Sequence, residues 1–354
     1  MPEHDVDVAR EDGFTSVGGV RIHYEAYGAG DPVVLIHGLG ASGAAWRRLA
    51  PYLAEAGYRA LAIDLKGCGL SARPPGDYSR GALAALVFGF MDNLGVRRAR
   101  AVVGHSMGGA IALDMAVSRP ERIDLVAVVD GQGVISPPWL LQAAAPVSPL
   151  VGTLASRVTA ISPASSRRFF ARMYLRRIFA NPEAVTEELV ETYAATADAG
   201  YQRAMFAMIQ YLGDTEDLAR AVRTLKQPAA LLWGRRDPVC PVSLGEELYR
   251  SLPDAEFHVI EDCGHCAPEE RPAELAAHLV DFFARRGPRV TSRGGPAFRT
   301  RGNGHHPSEN GGGHQALEHP LAESWPGAAV GLPGASAKRR KGRRRRGPGG
   351  ENLH

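Results

Sequence analysis

The ten residues Ala101-Val102-Val103-Gly104-His105-Ser106-Met107-Gly108-Gly109-Ala110 constrain the fold more than any other part of the chain. Small and β-branched residues, which favour a strand, run straight into Gly-x-Ser-x-Gly, and a helical pattern follows at once. A strand, a sharp turn carrying one hydroxyl and a helix must therefore succeed one another within a few residues. That order presents a serine as a nucleophile. Ser106 is expected in a strained turn conformation. Gly104 and Gly108 are expected where the strand and helix backbones pass too close for a Cβ. The helix start behind Ser106 aims N–H groups at the place where an oxyanion would form. A glycine-rich turn with an incidental serine fits the pentapeptide equally well, so the rest of the chain has to decide.

Residues 14–17 and 20–27 flank Gly18-Gly19 and read as a hairpin. Residues 33–36 are a continuous apolar run, as a buried strand should be, and residues 58–64, 99–103 and 125–130 also read as strands. Helical stretches separate them: Trp46, Leu49 and Leu53 at helical spacing, then residues 80–94 and 107–118. Such alternation means βαβ units and a mostly parallel sheet. It stops at residue 131. From there to about residue 225 no strand-like run occurs, and residues 165–179, 182–197 and 202–212 read as helices. The rhythm resumes with a strand at 229–234, a helix near 244–252, a strand at 256–261 and a final helix at 272–285. An all-helical insertion between two strands is expected to cap the C-terminal edge of the sheet, where such sheets bind ligands. The expected division is a core in two parts, 1–130 and 226–286, a helical cap at 131–225, and a tail at 287–354.

Charge separates the tail from the rest. The chain carries +3 overall, and the 12 Lys/Arg and 4 Asp/Glu that follow Arg286 leave residues 1–286 with −5. The mildly acidic body argues against a specific nucleic-acid surface. The tail is rich in Gly, Pro, Ser and His, too poor in apolar residues to fold, and is expected to be disordered. Its eight Lys/Arg between Lys338 and Arg346 are suited to contact with anionic surfaces, a solvated charge run being the competing reading. An acidic start without an apolar h-region predicts no signal peptide, and no apolar run reaches transmembrane length. Four cysteines in so long a chain make no disulfide framework. A cytoplasmic, reduced protein is the expectation.

A serine nucleophile needs a base, and the base needs an orienting carboxylate. Asp237 follows the strand at 229–234, in a turn closed by Pro238, and His265 follows the strand at 256–261. Chain order is then Ser106, Asp237, His265. A helix cap or Asx turn competes for Asp237, and a surface-loop histidine for His265. Asp130, at the end of the strand before the cap, is the alternative acid. Asp64 also ends a strand and is expected to anchor the loop through Gly67 and Gly69 by its backbone amides. In His37-Gly38-Leu39-Gly40 the glycines let the N–H of Leu39 face the site beside that of Met107, a pair of oxyanion donors. Cys263-Gly264-His265-Cys266 lacks a second ligand pair at zinc-site spacing, so no metal is expected there.

Taken together, His37-Gly38-Leu39-Gly40, Asp64-Leu65-Lys66-Gly67-Cys68-Gly69-Leu70-Ser71, Gly104-His105-Ser106-Met107-Gly108-Gly109, Trp233-Gly234-Arg235-Arg236-Asp237-Pro238 and Cys263-Gly264-His265 resemble the α/β-hydrolase superfamily over residues 14–285. The resemblance implies an eight-stranded, mostly parallel sheet with helices on both faces and a helical cap. It further implies a carboxylesterase-like activity on a small-molecule ester, with no cofactor. Ser106 stands where the dehalogenases and epoxide hydrolases of this fold carry aspartate, which argues against both. The Ser-Gly-Pro-Gly oxyanion loop of the ring-cleavage C–C hydrolases is absent, and Cys266 stands where they usually have tryptophan. C–C hydrolases, acyltransferases and lactonases share the same triad, and a ligand receptor on this fold is the alternative of a different class.

Overall fold

The apolar runs can be buried on both faces at once, and a central position in a sheet follows from that. The computed structural model describes residues 8–131, 150, 151, 153, 154, 157, 164–212 and 215–286. The basic tail therefore lies outside the described residues, as does much of the first third of the helical insertion. The hairpin comprises β1 (Arg10–Val17) and β2 (Val20–Tyr27). Its first strand starts four residues earlier than the sequence pattern predicts, because the exposed, charged Arg10, Glu11 and Asp12, together with Gly13, pair with β2 without any apolar alternation.

The chain continues through β3 (Asp31–Ile36), α1 (Ala50–Glu55), β4 (Tyr58–Ile63), α2 (Arg80–Asn93), β5 (Ala99–His105), α3 (Met107–Ser118) and β6 (Ile123–Val129). Helices α4 (Ala164–Ile178), α5 (Glu187–Ala195), α6 (Ala199–Ile209) and α7 (Glu216–Ala221) then precede β7 (Ala229–Gly234). Helix α8 (Val242–Ser251), β8 (Ala255–Ile260), α9 (Ala267–Glu270) and α10 (Pro272–Arg285) complete the described chain. Side-chain caps explain where the insertion departs from the sequence pattern. Thr186 accepts from Leu189 N and starts α5 afresh, splitting the stretch at 182–197. Asp198 accepts from Tyr201 N and starts α6 three residues before the apolar periodicity does.

One open sheet holds all eight strands in the order β1-β2-β4-β3-β5-β6-β7-β8, with β2 antiparallel to both its neighbours, β1 and β4, and every pair from β4 to β8 parallel. Strand alternation divides the core. Val34, Ile36 and Val102 pack toward α2 and α3, while Val33, Leu35 and Val103 pack toward Leu49, Leu53, Leu279 and Phe282 of the α1 and α10 side. Strand order reverses between β3 and β5, and a crevice opens at such a reversal beyond the C-terminal strand ends. The loop containing Leu39 follows β3, and Ser106 follows β5. Among the described residues no helix is long and apolar enough to cross a membrane.

Candidate active site

Ser106 sits between β5 and α3 with φ 52° and ψ −121°, a left-handed conformation that a serine rarely adopts. Its own backbone holds it there: its N–H donates to Val129 O, and its carbonyl accepts from Gly109 N. The two flanking glycines are required by close approach. A Cβ on Gly104 would strike the carbonyl of Gly108, and one on Gly108 the carbonyl of Ile36. Gly104→Ala is accordingly expected to cost about 3 kcal/mol or more, read as a lowered midpoint of urea unfolding.

Asp237 and His265 extend from the loops after β7 and β8 toward the same point. His265 Nδ1 donates to Asp237 Oδ2 at 2.7 Å, and the Ser106 hydroxyl donates to His265 Nε2 at 3.1 Å. All three side chains are buried. The other oxygen of Asp237 accepts from the amides of Val239 and Cys240, so the residue closes an Asx turn and holds the imidazole together. The Asx turn and the contact with the imidazole use different oxygens of one carboxylate. Asp130 follows β6 with φ 47°, and its oxygens face Gly234 N at 2.7 Å and Ala267 N at 3.4 Å. It braces the two loops that carry Asp237 and His265. Complete burial, with Asp237 close by, pushes its carboxyl well above the usual range.

The loop after β3 lies against the serine. His37 Nδ1 donates to Gly38 O, its Nε2 accepts from Leu65 N, and the Tyr201 hydroxyl of α6 donates to Gly40 O at 2.6 Å. Leu39 is half-buried within this pinned loop, and Met107 opens α3, where first-turn N–H groups have no carbonyl four residues back in the helix. Asp64 holds the loop through Gly67 and Gly69 by a backbone amide, as the sequence pattern predicts, and reaches a second segment as well. It grips the N–H of Leu70 and the more distant N–H of Gly43, together with His23 Nδ1. Gly69 contributes by lacking a Cβ, which would occupy the place of the carboxylate. His105 carried no signal in the sequence beyond its place inside Gly-x-Ser-x-Gly. Its Nε2 donates to the carbonyl of His265 at 2.6 Å, and burial beside His265 lowers it to about 3, so it stays neutral.

A strained serine, a histidine bound to it and a carboxylate bound to the histidine, at the ends of β5, β8 and β7, form one connected chain. The profile of the alpha/beta hydrolase family matches residues 33–278. The chain belongs to this family. Within it, the hydrolase is 31% identical over 272 residues to the 2-hydroxy-6-oxononadienedioate/2-hydroxy-6-oxononatrienedioate hydrolase of Paraburkholderia phymatum, covering 75% of this chain and 91% of that relative. It is 29% identical over 295 residues to the 2-hydroxymuconate semialdehyde hydrolase of Pseudomonas sp. strain CF600, covering 80% and 96%. Among solved structures, the meta-cleavage product hydrolase of Pseudomonas fluorescens IP01, complexed with acetates, is similar with a TM-score of 0.65 and 27% identity. That match covers 78% of this hydrolase and 98% of the other chain.

Beside Met107 this alpha/beta hydrolase has a small pocket lined by Leu83, Ala110, Ile111, Met208 and Leu212, with Tyr78, Arg80, Tyr211 and Thr215 as members that carry polar groups. Arg80 donates to Asp114 at 3.0 Å. All four cysteines are free and buried. Cys240 lies close enough to Asp237 and His265 for the three to resemble a metal-ligand group, yet Asp237 and His265 already satisfy each other. Burial raises every thiol, Cys68 to about 12 and the other three further. Native enzyme at pH 8 is therefore expected to give a near-zero titre with Ellman's reagent, and all four thiols only on unfolding.

Proposed function

We propose that this hydrolase cleaves carboxylic esters of small-to-medium apolar substrates through an acyl-enzyme. The observation that carries the reading is the unbroken hydrogen-bonded chain from Asp237 through His265 to Ser106. Ser106 Oγ attacks the ester carbonyl carbon as its proton passes to His265 Nε2. The carbonyl oxygen becomes an oxyanion facing the N–H groups of Leu39 and Met107. His265 then returns the proton to the departing alcohol, leaving the acyl group on Ser106. Water, deprotonated by the same imidazole, releases the acid. Asp237 holds the ring with its proton on Nδ1 throughout.

Charge pairing supports an uncharged substrate. The pocket's lining is mostly apolar surface with neutral hydroxyls from Tyr78, Tyr211 and Thr215, and its arginine is already paired with Asp114. On α4, Arg168, Arg172 and Arg176 pair with Glu191, Glu187 and Glu183. The relatives support a second reading, hydrolysis of a C–C bond in a ring-cleavage product, by the names they carry. The two readings separate in one assay that measures kcat/KM for p-nitrophenyl butyrate and for 2-hydroxymuconate semialdehyde. The ester is expected to win by at least ~100-fold, equivalent to about 2.7 kcal/mol of transition-state preference. A preference of that size for the semialdehyde would establish the C–C reading in its place.

A further inference from the structure

His265 is held through its backbone as well as its ring. Its N–H donates to the carbonyl of Ile178, the last residue of α4, at 2.9 Å. The residues on either side of it turn their N–H groups to one side chain. Glu270 Oε1 accepts from Gly264 N and Cys266 N, both at 3.1 Å, and Oε2 also lies 3.1 Å from Gly264 N. The same Oε2 accepts from Ala180 N at 2.8 Å, two residues beyond α4. One carboxylate thus gathers three backbone N–H groups, two flanking the imidazole-bearing residue and one from the helical insertion. Gly264 makes the contact possible, since a Cβ there would meet Ile178 O and lie 2.6 Å from Ala180 N. The insertion and the His265 loop therefore touch backbone to backbone, with Glu270 as the clasp.

We propose that Glu270 is a positioning residue that fixes His265 to the end of α4, so that the seating of the insertion sets the reach of the imidazole to Ser106. The inference rests on the reading of His265 as the base. A displacement of about 1 Å in a catalytic group is enough to cost on the order of 100-fold in rate. Removing the clasp therefore leaves substrate binding intact and slows the chemistry. Glu270→Gln keeps one acceptor oxygen for Gly264 and Cys266 but turns an amide N–H₂ toward Ala180 N–H, so it breaks the link to the insertion alone.

The test is a double-substitution cycle on the full chain, with kcat and KM measured on p-nitrophenyl butyrate and unfolding followed by circular dichroism. Glu270→Ala is expected to lower kcat by ~30-fold or more with KM within threefold, and Glu270→Gln by ~10-fold. In a His265→Ala background the same substitutions are expected to cost less than threefold, since the group they position is gone. If Glu270→Ala does not fold, Glu270→Gln carries the comparison alone. Equal losses in both backgrounds, or a change confined to KM, would overturn the proposal. A His265→Ala protein with full activity would instead overturn the assignment of the base.

Discussion

Ser106→Ala is expected to abolish ester turnover, with kcat falling on the order of 10⁶-fold, as when a nucleophile of this kind is deleted elsewhere. The hydroxyl reaches His265 Nε2 and has no part in the apolar core around it. Alanine at φ 52° is no more strained than serine there. Stability should therefore move by about 1 kcal/mol or less. Turnover and thermal unfolding measured on the same preparation check both halves. Lost activity with a lost fold would say nothing about the nucleophile, which is why the second measurement belongs with the first.

Asp237→Asn should lose ~10⁴-fold in kcat, because an amide facing Nδ1 favours the wrong imidazole tautomer. Asp130→Asn should lose less than ~10-fold, since Asp130 serves Gly234 N and Ala267 N and reaches the histidine through backbone alone. A sign follows for stability. The folded-state pKa of Asp130 is raised above its unfolded value, so what this group contributes is present at low pH and lost as pH rises through the folded value. Asn removes that dependence. The Asp130→Asn protein should accordingly gain on the wild type as pH rises above ~4, the range of an unfolded aspartate. Denaturant midpoints across pH measure it. If Asp130→Asn proved the more damaged enzyme, the acid would have to be moved to the end of β6.

The three residues of the hydrogen-bonded chain were legible because each follows a strand that the sequence pattern marks. Val33–Ile36 and Ala101–Val103 are apolar at every position because both faces of β3 and β5 are covered, and that covering places their C-terminal ends at the crevice. Residues that act on backbone were not legible. Glu270 holds the amides of Gly264 and Cys266, and His105 holds the carbonyl of His265. A backbone N–H has no letter in a sequence, so nothing marks these side chains as its partners. The same blindness hid a second partner of Asp64, the N–H of Gly43, 21 residues upstream. In the insertion, Thr186 and Asp198 outweighed apolar periodicity because a cap satisfies N–H groups that the periodicity does not register. Substrate choice stays outside the strand-end logic. The pocket beside Met107 likewise joins Met208 and Leu212 to side chains of other elements, a proximity that no local pattern records.

The most direct test of Ser106 as an activated nucleophile is covalent capture with a fluorophosphonate, followed by intact mass and peptide mapping. One label per chain, on the peptide that carries Ser106, is expected, at a rate that falls by orders of magnitude in Asp237→Asn and disappears in Ser106→Ala. Labelling that persists in Ser106→Ala, or that maps to another residue, would contradict the account.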